Sequence, residues 1–250
     1  MQLSPLGDSA LLVRLADEAQ AVALAQRLRA AAPAWLVDVV PAYRSVGVFF
    51  DLLTTDDQTV ARWISQAAGQ PHPPDPTDTA DDTAERDRTD RAGVDQPRAC
   101  RPPRRHLIPC CYALGPDLAS VAELTGLTPE AVVALHAGQD YTVYAIGFAP
   151  GFAYMGYLPE PLCGVPRLAR PRVRVEPGSV GLTGRQTGVY PLPRPGGWPL
   201  IGRTPLLMVE VETGYFPLAV GDRVRFVPIT EAEYDRWQGR RVGDWPSAPA

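Results

Sequence analysis

Lysine is missing from this 250-residue chain; all 24 of its cationic side chains are arginine. A P-loop is therefore excluded, because its lysine must reach the phosphates. So are a Schiff-base enzyme, which needs a lysine amine, and biotin carried on this chain. Histidine and cysteine are scarce, at three and four. Cys100, Cys110, Cys111 and Cys163 form no C-x-x-C pair, and with His72, His106 and His136 they offer no zinc-ligand spacing, so no metal site is expected. No apolar run approaches the ~18 residues of a membrane span. Met1–Pro5 shows no basic segment leading into an apolar one. The expectation is a cytoplasmic protein with no membrane partner.

Proline, by contrast, is abundant: 28 residues, about twice the usual ~5%, which argues against long uninterrupted helices. The hydrophobic share of 45% is enough for a core. The formal charge of −4 is unevenly spread. Residues 1–74 hold five arginines against seven acids, 75–95 three against eight, and 96–250 sixteen against thirteen. Neither end is basic enough for nucleic acid, whose affinity rests on many phosphate contacts. The mild positive balance after residue 96 suits a small anionic ligand or simply a solvated surface.

Composition divides the chain. Residues 70–104 read as a disordered Pro/Asp/Arg-rich linker, with almost no large apolar residue to offset chain entropy. Residues 1–69 read as a domain of order β-α-β-β-α. Its elements are a strand at Ala10–Leu15, a helix at Glu18–Ala31, a hairpin of Trp35–Ala42 with Ser45–Asp51, and a helix capped by Asp56 or Asp57 and running to Ala68. Such an order fits a small α+β sandwich, ferredoxin-like, with helices on one face of an antiparallel sheet. Residues 105–240 begin with a strand at His106–Cys110 and two short helices, Asp117–Leu124 and Pro129–Ala137, the latter with Thr128 as N-cap. Short β-type runs follow at Tyr141–Ile146, Arg172–Val175, Ser179–Leu182, Gly188–Tyr190, Leu206–Val211 and Asp222–Val227, and a last helix at Glu231–Gln238, a pattern of barrel or sandwich. Residues 241–250 read as a flexible tail. The fold class is α+β.

Three stretches could carry chemistry. Gly147-Phe148-Ala149-Pro150-Gly151-Phe152-Ala153-Tyr154-Met155-Gly156-Tyr157 sets a Pro-Gly type II turn among four aromatics; it is either a pocket wall or a tight barrel corner. Gly184-Arg185-Gln186-Thr187-Gly188 frames a cation, an amide and a hydroxyl between turn glycines, an anion cradle or a polar hairpin loop. Pro195-Gly196-Gly197-Trp198-Pro199-Leu200-Ile201-Gly202-Arg203-Thr204-Pro205 places Arg203, able to grip a carboxylate or phosphate bidentately, at a strand end. His136 falls in the last turn of its helix, where the dipole favours the charged form; it is a helix-end cation or a general acid/base.

The run from Ile108 to Leu207 closely resembles a bacterial family known variously as the 5-oxoprolinase B subunit, allophanate hydrolase subunit 1 and the sporulation-kinase inhibitor KipI. The shared motifs are Gly115-Pro116-Asp117-Leu118, His136 followed by Tyr141-Thr142-Val143, Gly147-Phe148-x-Pro150-Gly151-Phe152-x-Tyr154, Pro166-Arg167, Pro171-Arg172-Val173, Pro177-Gly178-Ser179-Val180, Gln186-Thr187-Gly188-x-Tyr190-Pro191 and Gly196-Gly197-Trp198-x-Leu200-Ile201-Gly202-Arg203-Thr204-Pro205. Gly7-Asp8-Ser9-Ala10-Leu11-Leu12-Val13 matches the family's opening, whereas the linker finds no counterpart.

The resemblance implies a C-terminal cyclophilin-like β-barrel of carboxyltransferase type. It also implies ATP-dependent opening of 5-oxo-L-proline to L-glutamate together with a homologue of the C subunit (allophanate hydrolase subunit 2) and a homologue of the A subunit. The cofactor would be ATP with Mg2+, held partly or mainly by the partner. On this expectation His136 moves a proton, Arg203 and Arg185 supply charge, and Gln186 and Thr187 orient a ligand carbonyl. Thr204 lies beside them, and Gly147, Phe148, Pro150, Gly151, Phe152 and Tyr154 wall the pocket. Two other readings stay open: a component of an allophanate hydrolase or urea carboxylase-type carboxyltransferase, and a KipI-like binding module that inhibits a histidine kinase.

Overall fold

The computed structural model describes residues 1–69 and 103–245. The chain divides into two compact units, the second starting at Pro103.

In the first unit β1 (Gln2–Pro5), β2 (Ala10–Arg14), β3 (Leu36–Ala42) and β4 (Ser45–Phe50) form one antiparallel sheet in the order β1-β2-β4-β3. Helices α1 (Glu18–Ala31) and α2 (Asp57–Ala68) bury Leu24, Leu28, Val60 and Ile64 in one core with the sheet's Leu11, Val13, Val46 and Val48. Both helices start on aspartates outside the helix proper, Asp17 accepting from the Gln20 N–H and Asp56 from the Thr59 N–H, which satisfies amides that have no intrahelical partner. The β-α-β-β-α order read from the sequence is present. Strand β1, which has no apolar alternation to signal it, is an addition at the edge.

In the second unit, seven strands make one barrel-like sheet: β5 (Arg105–Cys110), β6 (Tyr141–Ile146), β7 (Ala153–Gly156), β9 (Ser179–Thr183), β10 (Gln186–Val189), β12 (Leu200–Arg203) and β13 (Arg223–Pro228). Between them come α3 (Leu118–Thr125), α4 (Pro129–Ala137) and the ribbon of β8 (Arg172–Val175) with β11 (Arg194–Gly196); α5 (Glu231–Trp237) follows β13. The strand order is β12-β9-β10-β7-β6-β13-β5, antiparallel except for the parallel β13–β5 pair. The two edges, β12 and β5, meet where Cys111 and Arg203 exchange both backbone hydrogen bonds, at 2.8 and 3.0 Å. A pair of bonds thus stitches the barrel shut and removes the exposed edges that an open sheet presents. Inside lie Ile108, Tyr141, Met155, Val180, Leu182, Ile201 and Phe226, all buried, each contributing roughly 1.5–3 kcal/mol by leaving water.

Gly202 makes the stitch possible. A Cβ on it would come within 2.5 Å of the Cys110 sulfur and 3.2 Å of the Cys111 carbonyl. Gly202→Ala is expected to destabilise the second unit by about 1–3 kcal/mol through overpacking, and Cys110→Ala in the same chain to recover part of that loss. Urea denaturation of the two variants and of Cys110→Ala alone measures both effects.

Several boundaries differ from the sequence reading. The expected linker lies outside the described residues up to residue 102, but Arg104 already belongs to the barrel: its N–H donates to Asp222 Oδ1 at 2.9 Å. The expected strand Leu206–Val211 is irregular chain with isolated bridges only, from Leu207 to Arg241 and from Glu210 to Tyr215. It sends Leu206 and Met208 into the core without joining a ladder. Of the flexible tail expected over residues 241–250, the first part is ordered: Val242–Asp244 forms a 3-10 turn, Val242 is buried and Arg241 pairs with Glu210, while residues 246–250 lie outside the described residues. Among the described residues no single helix is long and apolar enough to cross a membrane.

Candidate functional site

Strand β10 decides what can share a site. Side chains alternate across a strand, so neighbours in sequence face opposite ways. Thr187 and Val189 point into the barrel, whereas Gly188 faces the outside, beneath Phe152 and Trp198. Gln186 shares the outward side with Gly188, opposite Gly156 of β7. Gln186 and Thr187 therefore cannot orient the same ligand group.

The inner side holds His136, which is wholly buried at the end of α4. Its Nε2 lies 2.8 Å from Thr187 Oγ1 and its Nδ1 2.7 Å from the Tyr112 hydroxyl. Thr187 donates its own proton to the Gly181 carbonyl at 3.0 Å, so it accepts from His136 Nε2–H. Nδ1 then accepts from the Tyr112 O–H. The result is a directional chain, Tyr112 to His136 to Thr187 to Gly181, in which every proton is placed and the ring is neutral. Burial drives the His136 pKa from 6.5 down to about 3, and the same burial pushes the Tyr112 phenol well up. The ring also packs against Phe226 at 4.6 Å and Tyr141 at 5.4 Å. This corrects one expectation, since the helix dipole does not keep His136 charged, and it places the ring inside the core and away from the surface. Desolvation outweighs the dipole because the ring is wholly enclosed and its two hydrogen-bond partners are neutral hydroxyls, not carboxylates.

The outer side carries a second, smaller cluster. Phe152, Tyr190, Trp198, Leu200, Val175 and Ala149 pack together over Gly188, with Tyr154 half-buried against them. Phe152 is the hub, edge-on to Tyr154, Tyr190 and Trp198 at 4.9–5.5 Å. Gly188 is needed there, since a Cβ would stand 3.0 Å from both the Phe152 ring and the Ala153 carbonyl. Phe152 is thus a packing residue, and the surface is presented by Tyr154 and by Phe148, which is 60% exposed at φ +67°. The Gly147–Phe152 loop bonds to itself. Gly147 N–H donates to Phe152 O, Ala149 N–H to Gly147 O and Phe152 N–H to Ala149 O, so Pro150 and Gly151 (φ +74°) form the expected turn. Three of the loop's amides, those of Gly147, Ala149 and Phe152, are therefore turned inward on the loop itself.

Arg185 sits at the tip of the β9–β10 turn with its guanidinium 4.3 Å over the Tyr157 ring, which in turn stacks on Tyr144 at 5.4 Å. The ring of Tyr144 covers Gly156, the strand partner of Gln186. Arg203 stands at the other end of β9, opposite Ser179, roughly 15 Å along the strand at ~3.3 Å per residue. Its Nε donates to the Pro177 carbonyl at 3.0 Å. Thr204 is buried, its N–H on Gly178 O and its hydroxyl accepting from the Leu206 N–H. The structure therefore places Tyr154 and Gln186 on the outward face of β7 and β10, with Phe148 on the loop before β7 and Arg185 on the turn before β10. It separates them from His136 and Thr187 inside and from Arg203 and Thr204 at the closure.

Sequence reasoning left out Asp117, Arg172, Tyr190 and Trp198 as named site residues. Asp117 begins α3 without capping it; its carboxylate instead accepts from Arg172 Nη2 and from the Leu200 N–H, both at 2.7 Å. The signal was there: three separate motifs each contribute one member of this triangle. His106, too, is ordered, its Nε2 3.0 Å from the buried Asp222.

A two-unit α+β chain with a stitched barrel and these interlocking motifs is of carboxyltransferase type, and the family model described as "Carboxyltransferase domain, subdomain C and D" matches residues 1–214. The chain belongs to that family. It is 34% identical over 251 residues to the 5-oxoprolinase B subunit of Bacillus subtilis (strain 168), a match spanning 95% of this chain and 96% of that protein. To the 5-oxoprolinase B subunit of Escherichia coli O157:H7 it is 49% identical over 141 residues, 55% of this chain and 64% of the relative. The crystal structure of TTHA0988 in space group P6522 superposes with a TM-score of 0.70 at 30% identity, covering 96% of this chain. This chain spans only 41% of the length of that one.

Proposed function

We propose that the chain is the B subunit of a cytoplasmic 5-oxoprolinase, which opens the lactam of 5-oxo-L-proline to L-glutamate at the expense of ATP. It would act with homologues of the A and C subunits, the latter of the allophanate hydrolase subunit 2 type, and be inactive without them. The observation that carries the proposal is the end-to-end likeness to the Bacillus subtilis protein. The outward face supports it: half-buried aromatic rings suit the apolar edge of a five-membered ring, and the Gln186 carboxamide can both donate to and accept from a lactam amide.

Triphosphate does not fit the described residues equally well. No lysine is present, the loop amides of Gly147, Ala149 and Phe152 are bonded internally, Arg203 Nε holds Pro177, and Arg185 is stacked on Tyr157. We therefore assign ATP and its Mg2+ mainly to a partner. What this chain supplies is position: a rigid wall at Phe148, a platform at Tyr154 and a polar contact at Gln186.

Co-purified with the two partners, the chain is expected to support ATP hydrolysis that depends on 5-oxo-L-proline, and alone to support none. Gln186→Ala should lower kcat/KM of the assembled complex at least tenfold, an effect of more than ~1.4 kcal/mol on the transition state. A complex that forms normally yet ignores 5-oxo-L-proline overturns the assignment. Stimulation by a biotinylated carrier, or block of a histidine kinase's autophosphorylation, would identify what replaces it.

A further inference from the structure

Two motifs, Pro166-Arg167 and Pro171-Arg172-Val173, take no part in the function proposed above, yet the chain wraps this stretch around the turn that carries Trp198. The Leu168 N–H donates to the Gly197 carbonyl at 2.7 Å. Pro171 packs on Gly197, and Arg172 stands opposite Gly196 in the β8–β11 ribbon. Gly196 lies directly against the Tyr190 hydroxyl, which a Cβ would approach to 2.5 Å. The Tyr154 ring is 5.9 Å from Trp198 in the same corner.

The charges of this corner do not balance. Arg172 Nη2 is engaged by Asp117, but its Nη1 is buried without a hydrogen-bond partner. Asp117 is fully used by Arg172 and the Leu200 N–H. Arg167 is exposed and forms no ion pair among the described residues. One carboxylate thus answers Arg172 alone, and Arg167 is left without an acid, near phenols that feel its charge. Burial pushes the Tyr154 and Tyr190 hydroxyls up, and the Arg167 charge pulls against that push on both. A fixed cation with an unanswered donor behind an exposed arginine is how a protein holds a place for an anion.

We infer that Arg167 and the Tyr154 hydroxyl, with Arg172 fixed behind them, seat the carboxylate of a small cyclic organic acid whose ring lies along Tyr154 and Phe148. The inference rests on the 5-oxoprolinase reading, where that group is the carboxylate of 5-oxo-L-proline. It shifts the anion contact from Arg203, whose Nε holds the Pro177 carbonyl, and Arg185, stacked on Tyr157, to a pair of motifs that had no task. A phosphate would satisfy the same donors, so the test distinguishes the two.

In the assembled three-protein complex, Arg167→Gln should raise KM for 5-oxo-L-proline at least tenfold with a much smaller change in kcat and no change in KM for ATP. Arg167→Lys, which keeps a charge without the fork, should recover part of the loss. An unaltered KM for 5-oxo-L-proline in Arg167→Gln overturns the seat while leaving the enzymatic reading standing; so does a rise confined to the KM for ATP, which would mark a phosphate contact. If the wild-type complex does not use 5-oxo-L-proline at all, the enzymatic reading falls separately. The seat is then judged by calorimetry of the full chain with cyclopentanecarboxylate, which carries both the ring and the single carboxylate. Binding that Arg167→Gln abolishes keeps it, and no binding by the wild-type chain ends it.

Discussion

Replacing His136 with alanine is expected to cost the second unit about 3–5 kcal/mol of stability, a large part of what a domain of this size has. Two effects add. The truncation leaves a cavity among Phe226, Tyr141 and the barrel interior, and it strands the Tyr112 proton and an acceptor site on Thr187, both buried. The pH dependence is the diagnostic part. Unfolded, the imidazole takes up a proton below about pH 6.5; folded, it refuses one until about 3. Between those values the unfolded state binds more protons, so stability rises with pH up to about 6.5 and is flat, as far as this group is concerned, above it. Each unit of acidification inside that window removes about 1.4 kcal/mol. His136→Gln should show a correspondingly shallower slope in urea midpoints measured from pH 6.5 to 4. A His136→Ala chain as stable as the wild type, assembling normally and yet inactive, would return the residue to proton transfer.

The second large effect is expected at Asp117. Its carboxylate is the only acid that answers Arg172 among the described residues, and it also takes the Leu200 N–H at the start of β12. Asp117→Ala would leave a partly buried guanidinium with neither Nη partnered, since Nη1 already lacks one. A loss of about 3–5 kcal/mol follows, because removing one partner strands the other charge. Arg172→Met in the same chain should recover much of it, the apolar stem filling the volume without the charge. A thermal-denaturation cycle of the two single variants and the double one isolates the coupling. Additive losses would mean that Asp117 acts only through Leu200.

Much of this architecture is legible in the residues alone. The helix at Asp57–Ala68 announces itself through its aspartate cap, the one at Pro129–Ala137 through Thr128 and Pro129, and the β-α-β-β-α order through periodicity. The failures have physical causes. Leu206–Val211 has strand-like composition, but a run of apolar residues says nothing about whether a neighbouring strand is free to pair. The helix end that His136 occupies is a local property, whereas its protonation is set by the barrel wall that closes over it from β10. Grouping Gln186 with Thr187 ignores a rule that the sequence itself supplies, that adjacent strand residues face apart. The family motifs are recognisable as a set, yet their division of labour is not. Gly202 clears the closure, Asp117 and Arg172 tie α3 to the ribbon, and only part of the set faces outward.

The parallel pairing of β5 with β13 has a consequence for how this molecule is made. Arg105 lies opposite Arg223 in that ladder, so the strand that opens the second unit leaves the ribosome long before the one it must join. At ~5–20 residues per second the nascent chain holds β5 unpaired for roughly 6–24 s while the intervening hairpins emerge. The first unit, whose ladders link near neighbours, can fold during that interval. The emergence of β13, more than any local preference, then sets the moment at which the cylinder can close.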